Sequence, residues 1–240
     1  MTTVVIEQPN YLPWIGYFDL IRRSDVWIWY DEVQYTKRDW RNRNRIAAGA
    51  AMEWLTVPVK TKGRFTQAIV EVEIDYSDAW MRRHIETLRR CYARAPFFAA
   101  IHEVVDRALA ARPRFLADLT IRLNEAICDL LAIAPKFLRS SILPRSESDR
   151  QQRLLDLCRR VSATVYLSGP AARAYIDPAA FLAAGIELRY IRYDYPPYPR
   201  GPHPFVPNLS IVDALAWLGA EGTAAFLVRK SRSEREVVTC

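Results

Sequence analysis

Two stretches of the chain concentrate residue types that can do chemistry at close quarters. The first, Gln8-Pro9-Asn10-Tyr11-Leu12-Pro13-Trp14-Ile15-Gly16-Tyr17-Phe18, packs two prolines, a glycine and four aromatic rings between an apolar run and a helical pattern. Gln8, Asn10, Tyr11, Trp14 and Gly16 are its candidate binding residues. The second stretch runs from Asp31 through Gln34, Lys37, Arg38, Trp40, Arg41, Asn42 and Arg43 to Asn44. Guanidinium and carboxamide groups hold carboxylates and phosphates through paired hydrogen bonds. Gln34, Lys37, Trp40, Asn42, Arg43 and Asn44 therefore read as a set that grips an anionic small molecule. Asp31 closes an apolar run, where a partly buried carboxylate can bind an amine or take its proton.

Further candidates lie downstream. A helix beginning near residue 78 puts His84, Leu88, Cys91 and Tyr92 on one face. His84 is a second candidate base; the alternative is a half-buried histidine bonded to a backbone carbonyl. Nothing in the sequence lowers the pKa of Cys91. Ser168-Gly169-Pro170 ends another apolar run and would present backbone N–H groups to a ligand, but it is not a G-x-S-x-G elbow. Tyr175 follows on the same edge. Ser210, with Asp213 three residues on, starts a helix, which suits a cap as well as a contact.

The elements that must position these residues follow from the hydrophobic pattern. Thr3 to Ile6 reads as a buried strand, Trp14 to Arg23 as a helix with Pro13 near its first turn, and Val26 to Tyr30 as a second strand. Strand, loop, helix, strand is a βαβ unit and implies a parallel sheet. Residues 32 to 53 read as an irregular segment, longer than a plain connection. Leu55 to Val59 and Ile69 to Ile74 are strand candidates. Three helices follow, from Ser77 or Asp78 to about Arg94, Phe97 to about Arg112 and Pro113 to about Ile133, and form a helical subdomain at about 77–133 within a single domain spanning 1–240. Lys136 to Ser140, Thr164 to Leu167 and Glu187 to Tyr193 return to strand. Helices are expected at Asp149 to Ser162, Asp177 to Ala184 (stopped by Gly185) and Ser210 to Leu218. The fold class expected is α/β: a mostly parallel, Rossmann-like sheet of five or six strands with helices on both faces. Ligands in such sheets bind at the carboxyl ends of the strands, where helix N-termini attract anions. That rim should unite the two stretches.

Composition narrows the function classes. The 240 residues carry a net charge of +7 and a pI near 9.4. No block of five or six like charges occurs, so the basic balance suits an anionic small molecule or an acidic partner better than a nucleic acid. Cys91, Cys128, Cys158 and Cys240 form no CxxC pair and no zinc spacing, so no metal site and no disulfide framework is expected. No cofactor is indicated. The N-terminal MTTVVIEQPN has no signal-peptide pattern, and no run approaches about 18 apolar residues, the length of a membrane span. A cytoplasmic location is the expectation.

The runs QPNYLPWIGYFDLI, WIWYDEVQYTKRDWRNRNRI and LTVPV resemble the WbqC-like family. His84 ahead of Tyr92 and Pro96-Phe97, the YLSGPAARAY segment and FVPNLSIVDAL add to the likeness, which covers nearly the whole chain. The resemblance implies a bacterial biosynthetic enzyme of surface polysaccharides or specialised metabolites. The activity it implies is amide formation: acyl or aminoacyl transfer from an activated donor, such as a carrier-protein thioester, to an amine. In that scheme Asp31 or His84 deprotonates the amine, Arg43 and Asn44 hold a substrate anion, and N–H groups near Gly16 or Gly169 face the oxyanion. An acidic acyl- or peptidyl-carrier protein would suit the basic surface. A second, structural likeness is to HxGH nucleotidyltransferases, which share the strand, proline loop and helix. Here the matching positions read Trp14-Ile15-Gly16-Tyr17, without either histidine. The alternative function is accordingly a nucleotide or nucleotide-sugar binding protein on that scaffold.

Overall fold

Runs of β-branched and aromatic residues favour extended backbone, and the first two such runs become β1 (Thr3–Glu7) and β2 (Val26–Trp29), joined by α1 (Ile15–Arg22). The computed structural model describes residues 1–145, 149–233 and 238–239; Cys240 lies outside them. A hairpin follows, β3 (Arg43–Ala48) and β4 (Ala51–Thr56). Next come α2 (Trp80–Tyr92), α3 (Phe98–Ala110) and α4 (Leu116–Leu130). The chain then alternates β5 (Lys136–Arg139), α5 (Arg150–Arg160), β6 (Val165–Ser168), α6 (Pro178–Ala183) and β7 (Glu187–Tyr190). It ends in α7 (Ile211–Ser233) and a short β8 (Val238–Thr239).

The main sheet has the order β5-β2-β1-β6-β7-β8. β8 alone runs antiparallel; the other five strands are parallel. This is the Rossmann-like α/β fold expected. Strand order reverses between β1 and β6, so the crevice between their carboxyl ends, Glu7 and Ser168, is the switch point where such sheets take ligands.

Successive strand residues face opposite sides, and the two sides bury separate cores. Val5, Trp27 and Trp29 face α1, α2, α3, α4 and α7. Val4, Ile6, Val26 and Ile28 face Leu154, Leu157 and Cys158 of α5 and Phe181 of α6. The helices of the expected subdomain thus share one core with α1 and the sheet.

Two expectations are corrected. Residues 43–48, read as irregular, form β3, which pairs with β4 from Arg43 beside Thr56 to Ala48 beside Ala51. Gly49, at φ 65, opens the two-residue turn between them. Polar residues masked the alternation, because the inward-facing Asn44 is buried for its hydrogen bonds. Residues 69–74 are no strand but a 3-10 turn (Ile69–Glu71) with extended flanks. Their backbone groups bond to several segments, Ile69 N–H to Val33, Val70 N–H to Asp31 and Ile74 N–H to Arg114, so no ladder forms.

The last helix runs past its expected end. At Gly219 the backbone turns to φ 73 and ψ 178, which breaks the helix, and a Cβ there would lie 2.9 Å from the Phe97 ring. Ile211–Val228 is long and apolar enough, by length and composition, to cross a membrane, a stretch the sequence reading did not single out. Half of it is buried in the protein, the break interrupts it, and buried Asp213 in its first turn pairs with buried Arg200 at 2.9 Å. It is a core helix.

Candidate functional site

The proline-aromatic turn and the arginine/asparagine segment meet along the carboxyl rim of the sheet. Tyr11 N–H donates to the Trp40 carbonyl at 2.9 Å. Asn44 Nδ2 donates to the carbonyls of Tyr11 (3.2 Å) and Leu12 (2.9 Å), while its Oδ1 accepts from Arg45 N–H. That clamp holds Leu12 at φ 43, a left-handed conformation a branched residue seldom takes. Arg41 Nη1 donates to Asn10 Oδ1, and Asn124 Nδ2 donates to the Asn10 carbonyl at 2.9 Å. Ser210 N–H on Arg45 and Ile211 N–H on Pro13, both 2.8 Å, tie the start of α7 to the same rim.

On one side of the Asn10–Arg41 contact lies a cavity of about 610 Å³. Gln8, Tyr30, Glu32, Gln34, Thr36 and Asp39 line it from the β1 and β2 side. Arg41, Arg145, Asp149, Arg150 and Arg153 complete it. Arg153 is buried and committed: its Nε meets Glu32 at 2.7 Å and its Nη atoms donate to the carbonyls of Pro144 and Ser140. Arg41 pairs with Asp39 at 3.3 Å. Burial works against the Asp39 charge, but the Thr36 hydroxyl at 2.6 Å and Arg41 hold its carboxyl below the usual range. Asp149 caps α5 by accepting from Gln152 N–H at 2.9 Å. Among the described residues Arg145 and Arg150 have no carboxylate partner; Arg150 lies 3.8 Å over the Tyr175 ring.

Glu7, at the switch point, stands behind this wall. Burial pushes its carboxyl above the usual range, against Arg41, the Gln8 N–H and Arg150, which favour the charge. A Cβ on Gly169 would lie 3.8 Å from Glu7 Oε1 and 3.6 Å from the Tyr193 hydroxyl. Gly169 therefore faces the same crevice as Glu7.

On the other side of the Asn10–Arg41 contact is a second cavity of about 310 Å³, lined by Asn10, Pro13, Trp14, Trp40, Asn44, Arg45 and Asn208. Trp14 and Asn208 also border a third, aromatic recess of about 220 Å³ with Tyr193, Tyr195, Tyr198 and Phe205.

The structure places the expected site residues unevenly. Gln8 and Gln34 line the first cavity; Asn10, Trp14, Trp40 and Asn44 line the second. Ser168, Gly169 and Tyr175 lie at the switch point. Tyr11 is buried beneath the rim, and Ser210 caps α7, its Oγ accepting from Val212 N–H at 3.3 Å. Gly16 makes room for the Trp14 ring, which would lie 2.4 Å from an added Cβ. Asn42 bonds the Val57 carbonyl, Arg43 stacks 4.3 Å over Trp54, and Lys37 sits 4.7 Å over Phe65; all three are outside these cavities.

The two expected bases have structural partners on every side. Asp31 is fully buried and accepts from Arg139 Nε (2.7 Å), Ser140 Oγ (3.2 Å), Ser141 N–H (3.0 Å) and Ser141 Oγ (2.9 Å). These fill the four lone-pair positions of a carboxylate, which makes Asp31 a clamp on the start of the 3-10 turn after β5. His84 is buried, with Nε2 3.1 Å from the Thr56 carbonyl and Nδ1 3.0 Å from the Tyr11 hydroxyl. The Nε2–H tautomer satisfies both contacts, and burial lowers the pKa to about 4. Neither residue lines any of the three cavities described above. Burial raises the Cys91 thiol as well.

Sequence reasoning passed over Glu7, Arg45 and the arginines around α5. The available signal was Arg145, Arg150 and Arg153 bracketing a helix start that follows a parallel strand, hence at the same rim. Among the described residues no group of three His, Cys, Asp or Glu side chains is placed to hold a metal ion.

The sequence profile of the WbqC-like protein family matches residues 8–225. The uncharacterized protein Rv1507c of Mycobacterium tuberculosis is 42% identical over 223 residues, which is 92% of this chain and 96% of that protein. No solved structure matches the chain significantly.

Proposed function

The chain belongs to the WbqC-like protein family, and from that premise we propose that it binds a phosphate-bearing small molecule of the nucleotide or sugar-nucleotide class. One observation carries this reading: Arg41, Arg145, Arg150 and Arg153 converge on a roomy polar cavity beside the switch point of a parallel sheet. Arg145 and Arg150, which lack carboxylate partners among the described residues, are the groups to meet phosphate oxygens; Arg41 and Arg153 shape the wall. Absence of the HxGH histidines at Trp14 and Tyr17 argues for binding without adenylyl transfer.

Glu7 supports a second reading, transfer of an acyl or aminoacyl group to an amine to form an amide. Its carboxyl, raised by burial and within the field of Arg41 and Arg150, suits a group that accepts the amine proton; unlike Asp31 and His84, it is not filled by side-chain partners among the described residues. An acidic carrier protein presenting the donor is the partner this reading implies, given the net charge of +7. Free thiols at Cys91, Cys128 and Cys158 fit the reducing cytoplasm as the site of action.

Differential scanning fluorimetry with UDP, ADP and the phosphate-free nucleosides tests the first reading. At about 100 times Kd a ligand adds about 2.7 kcal/mol, which is roughly 5–10 °C for a chain of this length. The diphosphates should produce that shift and the nucleosides should not, and Arg150→Ala should abolish it. Equal shifts with uridine and UDP, or an undiminished shift in Arg150→Ala, would remove the arginines from the argument. The second reading is checked by loss of the aminoacyl group from a charged carrier, with Glu7→Gln inactive.

A further inference from the structure

Arg41, Arg43 and Arg45 each have an Nε shut from solvent with no acceptor. Arg41 and Arg43 still donate through their Nη atoms, to Asn10 and Asp39 and to the Arg38 carbonyl, whereas among the described residues the Arg45 guanidinium makes no hydrogen bond and pairs with no carboxylate. It lies instead beside two indoles, 5.5 Å from the Trp40 ring and 5.8 Å from the Trp54 ring. It also lines the 310 Å³ cavity. A cationic fork without an anion, at the edge of an aromatic-walled recess, has the chemistry of a carboxylate site.

The rest of the cavity describes what carries that carboxylate. Trp14 is fixed: it rests on Gly16 and packs edge-on to Tyr193 (4.8 Å) and Tyr195 (5.4 Å). Trp40, 40% exposed and leaning on Trp54 at 5.7 Å, supplies a second aromatic surface. The Asn44 amide is spent on backbone groups. Asn10 gives only its Oδ1 to Arg41, and the Asn208 amide has no partner among the described residues. Asn208 is held at φ 57, a conformation asparagine tolerates better than most residues. Open amides beside indole surfaces are suited to ring hydroxyls, with ring C–H groups against the aromatic walls. The volume, near the lower end of the roughly 300–1,000 Å³ of ligand sites, suits one ring.

We infer that this cavity is a subsite for a single hydroxylated ring bearing a carboxylate, a sugar acid, with Arg45 on the carboxylate and the Asn10 and Asn208 amides on hydroxyls. A nucleobase would use the aromatic walls but leave the guanidinium without an anion. The site stands whether or not the arginine-lined cavity binds phosphate. Asn10, which lines this cavity, contacts Arg41, which lines the other, so the two lie side by side, an arrangement that suits two substrates.

Saturation-transfer difference NMR on the full chain with glucuronate, glucose and benzoate tests the assignment. Glucuronate should receive saturation at its ring protons, and glucose and benzoate should give much weaker signals. Arg45→Ala should weaken glucuronate by about tenfold or more, the worth of one charge-assisted contact. Asn208→Asp, which keeps the left-handed backbone and adds a negative charge, should do the same; far-UV circular dichroism melts establish that both variants fold. No transfer to glucuronate, or equal transfer in both variants, would overturn the proposal. Glucose equal to glucuronate would remove the carboxylate from it, and benzoate equal to glucuronate would remove the hydroxyls; either result rejects a sugar-acid site. The UDP-dependent shift and its loss in Arg150→Ala are read separately, so each reading fails by itself.

Discussion

Replacing Asp31 by asparagine separates a structural carboxylate from a catalytic one. The side chain keeps its shape, but one oxygen becomes an NH₂ group. With the remaining oxygen toward Arg139 Nε and Ser141 Oγ, the amide points its hydrogens at Ser141 N–H, which cannot turn to accept, and at Ser140 Oγ, which can. At least one donor is stranded in a fully buried place, and an ion pair is lost. Breaking a buried pair costs about 3–5 kcal/mol. Arg139 is partly solvated and also holds Asp118 at 2.7 Å, so its charge keeps a partner and the lower end applies. About 3 kcal/mol corresponds to a fall in Tm of roughly 6–12 °C for a chain of this size. Urea unfolding followed by circular dichroism at pH 7 reads the change. Asp118→Asn, which removes a more exposed partner of the same arginine, should cost under about 1 kcal/mol. An Asp31→Asn protein of unaltered stability that has lost its activity would show that the carboxylate is a reacting group and that the clamp described above is mistaken.

Two further outcomes follow from the rim. His84 is held neutral, with a pKa near 4 against 6.5 when unfolded, so the folded state binds fewer protons between those values. Its contribution is complete above about pH 6.5 and is lost as pH falls toward 4, a decline of about 3 kcal/mol; urea midpoints across that window should fall in the wild type and flatten in His84→Gln. Gly16→Ala places a methyl against the Trp14 ring and must displace that ring, which forms a wall of the 310 Å³ cavity. The overpacking should cost about 1–3 kcal/mol and abolish glucuronate saturation transfer, while UDP-dependent stabilisation in the neighbouring cavity persists.

Local pattern determined much of the architecture. Four- and five-residue apolar runs rich in β-branched and aromatic residues and bounded by turn residues read as buried strands, and two of them joined by an amphipathic helix imply a parallel βαβ unit. The helix start at Asp149 and the stop at Gly185 were readable because caps act within a few residues: Asp149 accepts from Gln152 N–H. The α2 start was off by one residue, since Ala79 is the N-cap and Asp78, just ahead of it, accepts from Trp80 N–H. The meeting of residues 8–16 with residues 40–45 was readable too, since both leave carboxyl ends of adjacent parallel strands. Tertiary structure decided the rest, because a side chain's role depends on which partners arrive from distant parts of the chain. Asp31 became a clamp only when Arg139, Ser140 and Ser141 came to it across more than one hundred residues, and His84 was sealed by Tyr11 and Thr56. The Asn44 amide was spent on a strained turn that nothing nearby in sequence announces. Arg150 reached the rim through the crossover into α5, and Arg45 faces a cavity whose far wall, Asn208, lies at the start of the last helix. Sequence marks which groups are chemically able; burial and partner count, set by the whole fold, determine which of them remain free to act.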